Sequence, residues 1–144
     1  RSSCRHPRRV RAHGRTHGQK AAGGACGALL RYGAVLATGA GIFGFAGPMA
    51  TLTVNICGSA MMGLVAGGLA AGVVMPEPLR LFIAVGFLGA LTTFSTFALD
   101  AGALLQRQSS AAALAYIALS VVLSLLAFAA AHMLASAALG RGAS

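Results

Sequence analysis

The segment GFLGALTTFSTF at residues 86–97 concentrates hydroxyl side chains, glycine and phenylalanine within a strongly apolar chain. Its hydroxyls belong to Thr92, Thr93, Ser95 and Thr96. Because such hydroxyls bond back to helix carbonyls and glycine weakens a helix, the segment predicts a helix break near residues 89–95. A break exposes backbone carbonyls that can hold a monovalent cation without any carboxylate. A continuous helix with inward hydroxyls is the alternative.

Asn55 lies in the apolar run TLTVNICGS, at residues 51–59. An amide without partners in an apolar setting costs several kcal/mol, so this side chain needs a hydrogen-bond partner or water. Two interpretations are open. The NH₂ group suits an anion, because it offers two donors, or the side chain makes an interhelical hydrogen bond that stabilises a bundle.

Two further sets of residues could line a polar path. Phe94 and Phe97 share a face if this segment is helical, and their positive ring edges would attract an anion weakly; simple packing is the alternative. Tyr116, Ser120 and Ser124 recur at four-residue intervals and form a hydroxyl stripe about 12 Å long on a helix. That stripe predicts either a polar track for hydrated ions or ordinary helix contacts.

The composition places these residues in a membrane. The chain has 144 residues, of which 57% are hydrophobic and 9% charged. A soluble protein with so little polar surface could not cover itself. We predict four transmembrane helices, the third of them broken, and find no alternation typical of a β-barrel. The predicted spans are 22–44, 51–74, 79–105 and 111–138, separated by clusters of glycine, proline and polar residues.

The net charge of +9 belongs mainly to the first 20 residues, which carry seven of the eleven basic side chains. The remaining four basic and two acidic residues leave the apolar part nearly neutral, so a nucleic-acid partner is not indicated. We predict a disordered basic extension at 1–20 and a four-helix transmembrane domain at 21–144. Attraction to anionic lipid and a start site assigned too far upstream are alternatives for the extension.

Small residues recur at helix-packing spacing, and acidic residues are scarce. Small residues spaced for close helix packing are Gly23 with Gly27, Ser59 with Gly63, Gly63 with Gly67, and Gly68 with Gly72. One Glu and one Asp provide no paired acid and base, so enzymatic activity is not expected. Arg31 and Asp100 lie in or near predicted spans, where each can reach the interface or pair within the protein.

Three motifs resemble those of the CrcB/Fluc fluoride channels. They are GGACGALLRYG at 23–33, TLTVNICGSAMMG at 51–63 and the highly specific GFLGALTTFSTF at 86–97. The resemblance covers roughly residues 22–138. Asp100 stands where this family commonly has Glu.

The resemblance implies a dual-topology homodimer of four-helix subunits with two narrow pores in the cell membrane. It implies that fluoride passes Asn55, Phe94, Phe97, Tyr116, Ser120 and Ser124. Carbonyls of Gly89 and Thr92 would hold a central structural Na⁺. Residues expected to be structural or to lie beside the pore are Arg31, Thr51, Thr93, Ser95 and Asp100.

The function implied is passive export of fluoride from the cytoplasm, which reduces fluoride toxicity. Two other classes stay open. One is a small four-helix, dual-topology multidrug or cation transporter, which would need an embedded carboxylate early in the chain. The other is a non-transporting membrane assembly protein, for which the glycine-rich faces suffice but the hydroxyl-rich segment is unexplained.

Overall fold

The computed structural model describes residues 8–39, 46–107 and 109–140, which are mainly helical and contain no strand. Between the second and last long helices, the described residues are non-helical at 71–76, at 92–93 and at 109. The elements in chain order are α1 (Arg8–Gly39), α2 (Ala46–Ala70), α3 (Glu77–Arg80), a π-helical segment (Leu81–Leu88), α4 (Gly89–Leu91), α5 (Phe94–Arg107) and α6 (Ser110–Gly140).

Three stretches of the described residues are long and apolar enough to cross a membrane: Gly47–Ala70, Glu77–Arg107 and Ser110–Gly140. They correspond to the second, third and fourth predicted spans. The first predicted span, 22–44, falls in α1 up to Gly39, and its last residues lie outside the described part. α1 is not among the stretches that meet this criterion of length and composition.

The end of α2 differs from the prediction of a span reaching residue 74. The N–H of Val73 donates to the Gly68 carbonyl, and the N–H of Gly72 donates to the Leu69 carbonyl. This is the paired bonding of a Schellman motif, and Gly72 adopts the φ of +90° that the motif requires. Gly72 therefore terminates α2, and the prediction that it pairs with Gly68 in helix packing is wrong.

The start of α1 also differs from the prediction. Residues 8–20 are helical and continuous with the apolar part of α1, so the predicted disorder of the extension is not found from Arg8 onward. Residues 1–7 lie outside the described residues. Extending an existing helix adds one hydrogen bond per residue without a new nucleation cost, which offsets the unfavourable propensities of Gly14 and Gly18.

Glycine brings two pairs of elements into close contact. α2 packs along α6, where a Cβ on Gly63 would overlap the Phe128 carbonyl and one on Gly67 would overlap the His132 carbonyl. The closeness predicted for Gly63 and Gly67 is therefore confirmed. Without a hydrophobic force between helices in lipid, such backbone approach lets dispersion hold the helices together.

α1 packs in the same way along the π-helical segment. A Cβ on Gly23 would overlap the Phe82 carbonyl, and one on Gly27 would overlap the Phe87 carbonyl. Gly86 completes this crossing, since a Cβ there would lie 2.7 Å from the Lys20 carbonyl and 3.0 Å from Gly23 Cα. The predicted Gly23 and Gly27 pair is confirmed, and this contact fixes the segment that leads into the hydroxyl-rich region.

Candidate functional site

The helix is interrupted between α4 and α5. α4 ends at Leu91, Thr92 is extended with φ −76° and ψ 147°, and α5 begins at Phe94. Thr93 is the N-cap of α5, because its hydroxyl oxygen accepts the N–H of Thr96 at 3.2 Å. The same hydroxyl donates to Thr96 Oγ1 at 3.2 Å and lies 3.1 Å from Ser95 Oγ. Hydroxyl side chains thus replace part of the missing helical bonding.

Asn55 of α2 binds the interruption from across the bundle. Its Oδ1 accepts the N–H of Thr93 at 2.8 Å, and its Nδ2 donates to the Thr93 carbonyl at 3.2 Å. The interhelical hydrogen bond considered for this residue is therefore present. The carboxamide satisfies both backbone groups of one residue, which an extended backbone would otherwise leave unpaired.

This bonding leaves two carbonyls without their helical donors. In an unbroken α-helix, Gly89 would accept the Thr93 N–H and Thr92 would accept the Thr96 N–H. Here the first N–H is donated to Asn55 and the second to the Thr93 hydroxyl. The carbonyls of Gly89 and Thr92 therefore retain acceptor capacity.

A groove with a volume of about 600 Å³ runs along the interruption between α2 and α6. It brings together eight of the residues predicted from the sequence. They are Asn55, Gly89, Thr92, Thr93, Phe94, Phe97, Ser120 and Ser124.

The hydroxyl of Ser120 is a buried polar group of this groove. The residue is buried, with 4% of its surface exposed, and its hydroxyl oxygen makes no hydrogen bond of good geometry among the described residues, although the Tyr116 hydroxyl lies near it. Leaving a buried hydroxyl unpaired costs about 1–3 kcal/mol, so the groove contains a donor that a bound polar species would satisfy.

The two phenylalanines contact each other in this groove. The ring centroids of Phe94 and Phe97 are 5.3 Å apart, with an interplanar angle of 46°. Phe97 is buried, whereas 79% of Phe94 is exposed in the single chain. Tyr116 lies behind this pair: its ring centroid is 5.6 Å from that of Phe97, and it does not line the groove.

Tyr116 and Asp100 form a separate contact. The Tyr116 hydroxyl donates to Asp100 Oδ2 at 3.4 Å. A Cβ on Gly47 would lie 3.4 Å from Asp100 Oδ1, which places the carboxylate beside the first turn of α2. The positive end of that helix dipole favours a negative charge at this position.

Arg31 and Thr51 lie around a second, smaller cavity of about 180 Å³, between α1, α2 and α5. Thr96 also lines this cavity, and its bond to Thr93 joins the walls of the two spaces. Thr51 is fully buried, with 2% exposed. The structure therefore places eight of the predicted site residues in the groove and two in the second cavity, whereas Ser95, Asp100 and Tyr116 line neither space.

Sequence reasoning missed part of the groove wall. Gly58 has no room for a side chain, because a Cβ would overlap the methyl group of Thr92. Gly58, Ser59 and Met62 lie three, four and seven residues after Asn55, and this spacing on one helix face was the available signal. The other missed lining residues are Val121, Leu125 and Phe128, which are ordinary apolar residues of α6.

The sequence is similar to known proteins over the part that contains both spaces. Residues 20–132 match the family described as CrcB-like protein, Camphor Resistance (CrcB). A protein of Rhodospirillum centenum named fluoride-specific ion channel FluC is 50% identical over 108 residues, which cover 72% of this chain and 82% of that protein. A protein of Paracoccus denitrificans with the same name is 44% identical over 126 residues, covering 86% and 93%. A third, from a Chelativorans species, is 46% identical over 105 residues, covering 73% and 83%. The interrupted helix, the groove and the second cavity all lie within the matched residues, and the chain belongs to the CrcB family.

Proposed function

We propose that this protein is a multi-pass membrane channel that passes fluoride selectively and passively out of the cytoplasm. Its relatives named fluoride-specific ion channels support this function. The structural observation that carries the proposal is the buried, unpartnered Ser120 hydroxyl in a groove shared with Asn55 and two phenylalanines. A channel of this kind moves its ion without covalent chemistry, so the protein is not an enzyme.

The proposed path uses donors to replace the water around a small anion. One N–H of the Asn55 amide donates to the Thr93 carbonyl, and the second is available to donate to fluoride. Ser120 donates its hydroxyl, and Ser124 lies one turn further along the groove. Tyr116 continues this stripe in sequence but lies behind Phe97, so it supports the ring rather than binding the ion in this arrangement.

Phe94 and Phe97 supply the weaker contacts in the proposed path. The edge of an aromatic ring is positive, so it attracts an anion without holding it as tightly as a cationic side chain would. Conduction requires binding that is favourable enough for entry and weak enough for release. Two rings 5.3 Å apart beside the donors support this part of the proposal.

We propose that the carbonyls of Gly89 and Thr92 hold a structural Na⁺. The donor set fits, since both carbonyls have lost their helical N–H donors and carbonyl oxygen suits a hard monovalent cation. The bound cation would supply positive charge near the anion path. Two carbonyls from one chain leave coordination positions for oxygen atoms from a second copy.

An antiparallel homodimer is the assembly that these features favour. The groove is open along Phe94, most of which is exposed in a single chain, so a second copy could cover it. Insertion in both orientations requires little charge bias. The seven basic residues of 1–20 favour a single orientation, whereas beyond residue 20 the charged side chains are few. They are Arg31, Glu77, Arg80, Asp100, Arg107 and Arg141.

A multidrug or cation transporter is the second function considered, and a non-transporting assembly protein the third. The transporter needs an embedded carboxylate to exchange protons, and residues 1–76 contain neither Asp nor Glu. The assembly protein has no use for an unpartnered donor in an open groove. Both observations favour the channel.

Efflux from liposomes tests the proposed function. Protein is reconstituted into vesicles loaded with potassium fluoride or potassium chloride, and anion release is followed by electrode after valinomycin is added. Fluoride should leave rapidly while chloride is retained. Equal rates for the two anions would overturn the proposed selectivity.

Variants connect that flux to the groove. Phe94→Ile and Asn55→Asp should each reduce fluoride efflux strongly, whereas Leu105→Ile, a similarly exposed apolar position outside the groove, should not. Because Phe94 is mainly exposed, its replacement should cost the single chain little packing. Unchanged efflux in both groove variants would remove the site assignment.

A further inference from the structure

The first part of α1 is a basic helix that the ion path does not use. It contains five cationic residues within thirteen positions: Arg8, Arg9, Arg11, Arg15 and Lys20. No Asp or Glu occurs before Glu77, so this stretch carries no acidic residue of its own. The family match begins at residue 20, which leaves almost the whole stretch outside the residues matched to the family. We refer to residues 8–20 as the basic helix.

The position of the basic helix follows from its continuity with α1. The close packing of α1 on the third span includes Gly23 and the Lys20 carbonyl, both against Gly86. α1 also contacts α3, where Glu77 and Arg80 mark the charged start of a candidate membrane span. Residues before Lys20 therefore continue from the packed, apolar bundle toward its charged end.

Helix geometry sets how far each charge extends from that point. At about 1.5 Å per residue, Arg15 lies roughly 7 Å and Arg8 roughly 18 Å from Lys20 along the axis. Salt screens exposed charges beyond about 8 Å at physiological ionic strength. Lys20 and Arg15 thus lie in the zone where the headgroup layer of a bilayer acts most strongly, and Arg8 lies furthest from it.

We propose that the basic helix is a binding surface for the headgroups of anionic phospholipids in the bilayer that holds this protein. Each basic residue near an anionic membrane surface strengthens binding by on the order of fivefold. The helix is attached to the bundle without a break, so it does not have to lose the freedom of a flexible tail when it binds.

The charges of the chain argue against a second copy as the occupant. The only acidic residues are Glu77 and Asp100, and Asp100 is already bonded to Tyr116 inside the bundle. One available carboxylate cannot neutralise five cations. A nucleic acid is also less favoured, because the basic helix contains no Phe, Tyr or Trp on which bases could stack.

The test measures lipid selectivity and does not depend on fluoride transport. The full chain is reconstituted into phosphatidylcholine vesicles that contain trace spin-labelled phosphatidylglycerol or spin-labelled phosphatidylcholine. The motionally restricted fraction in the electron paramagnetic resonance spectrum gives the relative association of each lipid. Both leaflets contain the label, so the result does not depend on subunit orientation.

Three variants test whether the lipid preference depends on where the charge lies along the basic helix. They are R15Q/K20Q, R8Q/R9Q and R107Q. The wild-type protein should prefer phosphatidylglycerol several-fold, and raising the salt to 1 M should reduce that preference. R15Q/K20Q should remove most of that preference, and R8Q/R9Q should lower it by clearly less. R107Q, an exposed cation at the end of α5 outside the basic helix, should leave most of the preference unchanged.

Two outcomes would overturn the proposal. One is equal association of the two lipids with the wild-type protein. The other is an equal loss in R107Q and R15Q/K20Q, which would assign the preference to the total charge of the protein. If the first outcome is found and a short DNA duplex binds to these vesicles, a nucleic-acid partner is favoured instead.

Discussion

The contact between α2 and α6 and the contact between α1 and the third span use the same residue type for different results. In both, glycines bring a helix against the backbone of its neighbour: Gly63 and Gly67 on α2, and Gly23 and Gly27 on α1. The first contact joins two uninterrupted helices. The second ends beside an interruption, since a Cβ on Gly27 would lie 3.1 Å from the Leu91 nitrogen. Glycine packing therefore builds the bundle, while the hydroxyl and amide side chains near Leu91 make the site.

The two contacts also distinguish residues whose substitution should lower the stability of the fold from residues that we expect transport to require. A glycine at either contact has a steric role, and the groups at the interruption have a bonding role. Ser120 has neither, because nothing among the described residues accepts from its hydroxyl. Four sets of substitutions should therefore give a decreasing series of stability effects, with transport following a different order.

Asn55→Ala should have the largest effect. It leaves the Thr93 N–H and carbonyl unpaired in a partly buried position, at about 1–3 kcal/mol for each group. The midpoint temperature of thermal unfolding in detergent should fall markedly, and fluoride efflux should be lost. Thr53→Ala is the matched control on α2, because that hydroxyl is exposed and bonds only the Met49 carbonyl of its own helix. Equal midpoints for the two variants would show that Asn55 does not hold the interruption.

Gly27→Ala and Gly63→Ala should come next. A methyl group at either position meets a backbone carbonyl that cannot rotate away, and overpacking of this kind costs about 1–3 kcal/mol. Gly24→Ala is the control in α1, since no other atom lies within 4 Å of the added carbon. It should be neutral or stabilising by up to about 1 kcal/mol, because alanine favours a helix.

Transport distinguishes the two glycine contacts. Gly27→Ala should reduce fluoride efflux per folded protein, because it displaces residues next to the interruption. Gly63→Ala should act mainly through the amount of folded protein. Efflux per folded protein that falls equally in both variants would contradict the separation of packing from site.

Thr93→Val should have a moderate effect. The substitution keeps the shape of the side chain but removes the hydroxyl that accepts the Thr96 N–H, and loss of an N-cap typically costs about 1 kcal/mol. Thr93→Ser keeps the hydroxyl and should restore most of the stability. Ser95→Ala is a further control, because Ser95 is exposed and its hydroxyl contacts only the side chain of Thr93. A Thr93→Ser variant as unstable as Thr93→Val would show that the methyl group, and not the cap, is important.

Much of this arrangement could be predicted from the sequence, because the signals were local. The spacing of Gly63 and Gly67 predicted close packing, and the apolar surroundings of Asn55 predicted that it needs a partner. The partner itself, Thr93, is 38 residues away, and no local pattern specifies it. The same limit applies to Tyr116, whose spacing fits the serine stripe although its ring lies against Phe97.

Other features had no sequence signal or a misleading one. Gly72 has the spacing of a packing glycine but serves as a helix terminator, because only its φ distinguishes the two uses. The π-helical segment Leu81–Leu88 is composed of ordinary apolar residues and glycine. Composition predicted disorder for residues 8–20, yet composition does not account for the helix that follows and makes extension favourable.

Ser120→Ala should have the smallest effect on stability and a large effect on transport. Removing a buried hydroxyl that has no partner eliminates its desolvation cost, so thermal unfolding should be unchanged or slightly raised. If the hydroxyl donates to fluoride in the groove, efflux should fall by about tenfold or more, since a hydrogen bond to a charged group is worth roughly 1.5–3 kcal/mol. Ser136→Ala is the control on α6, because that hydroxyl bonds the Met133 carbonyl and lies outside the groove. A Ser120→Ala protein that is less stable but conducts normally would mean that the hydroxyl has a structural partner and is not a fluoride donor, and the groove would then lose the observation on which its assignment depends.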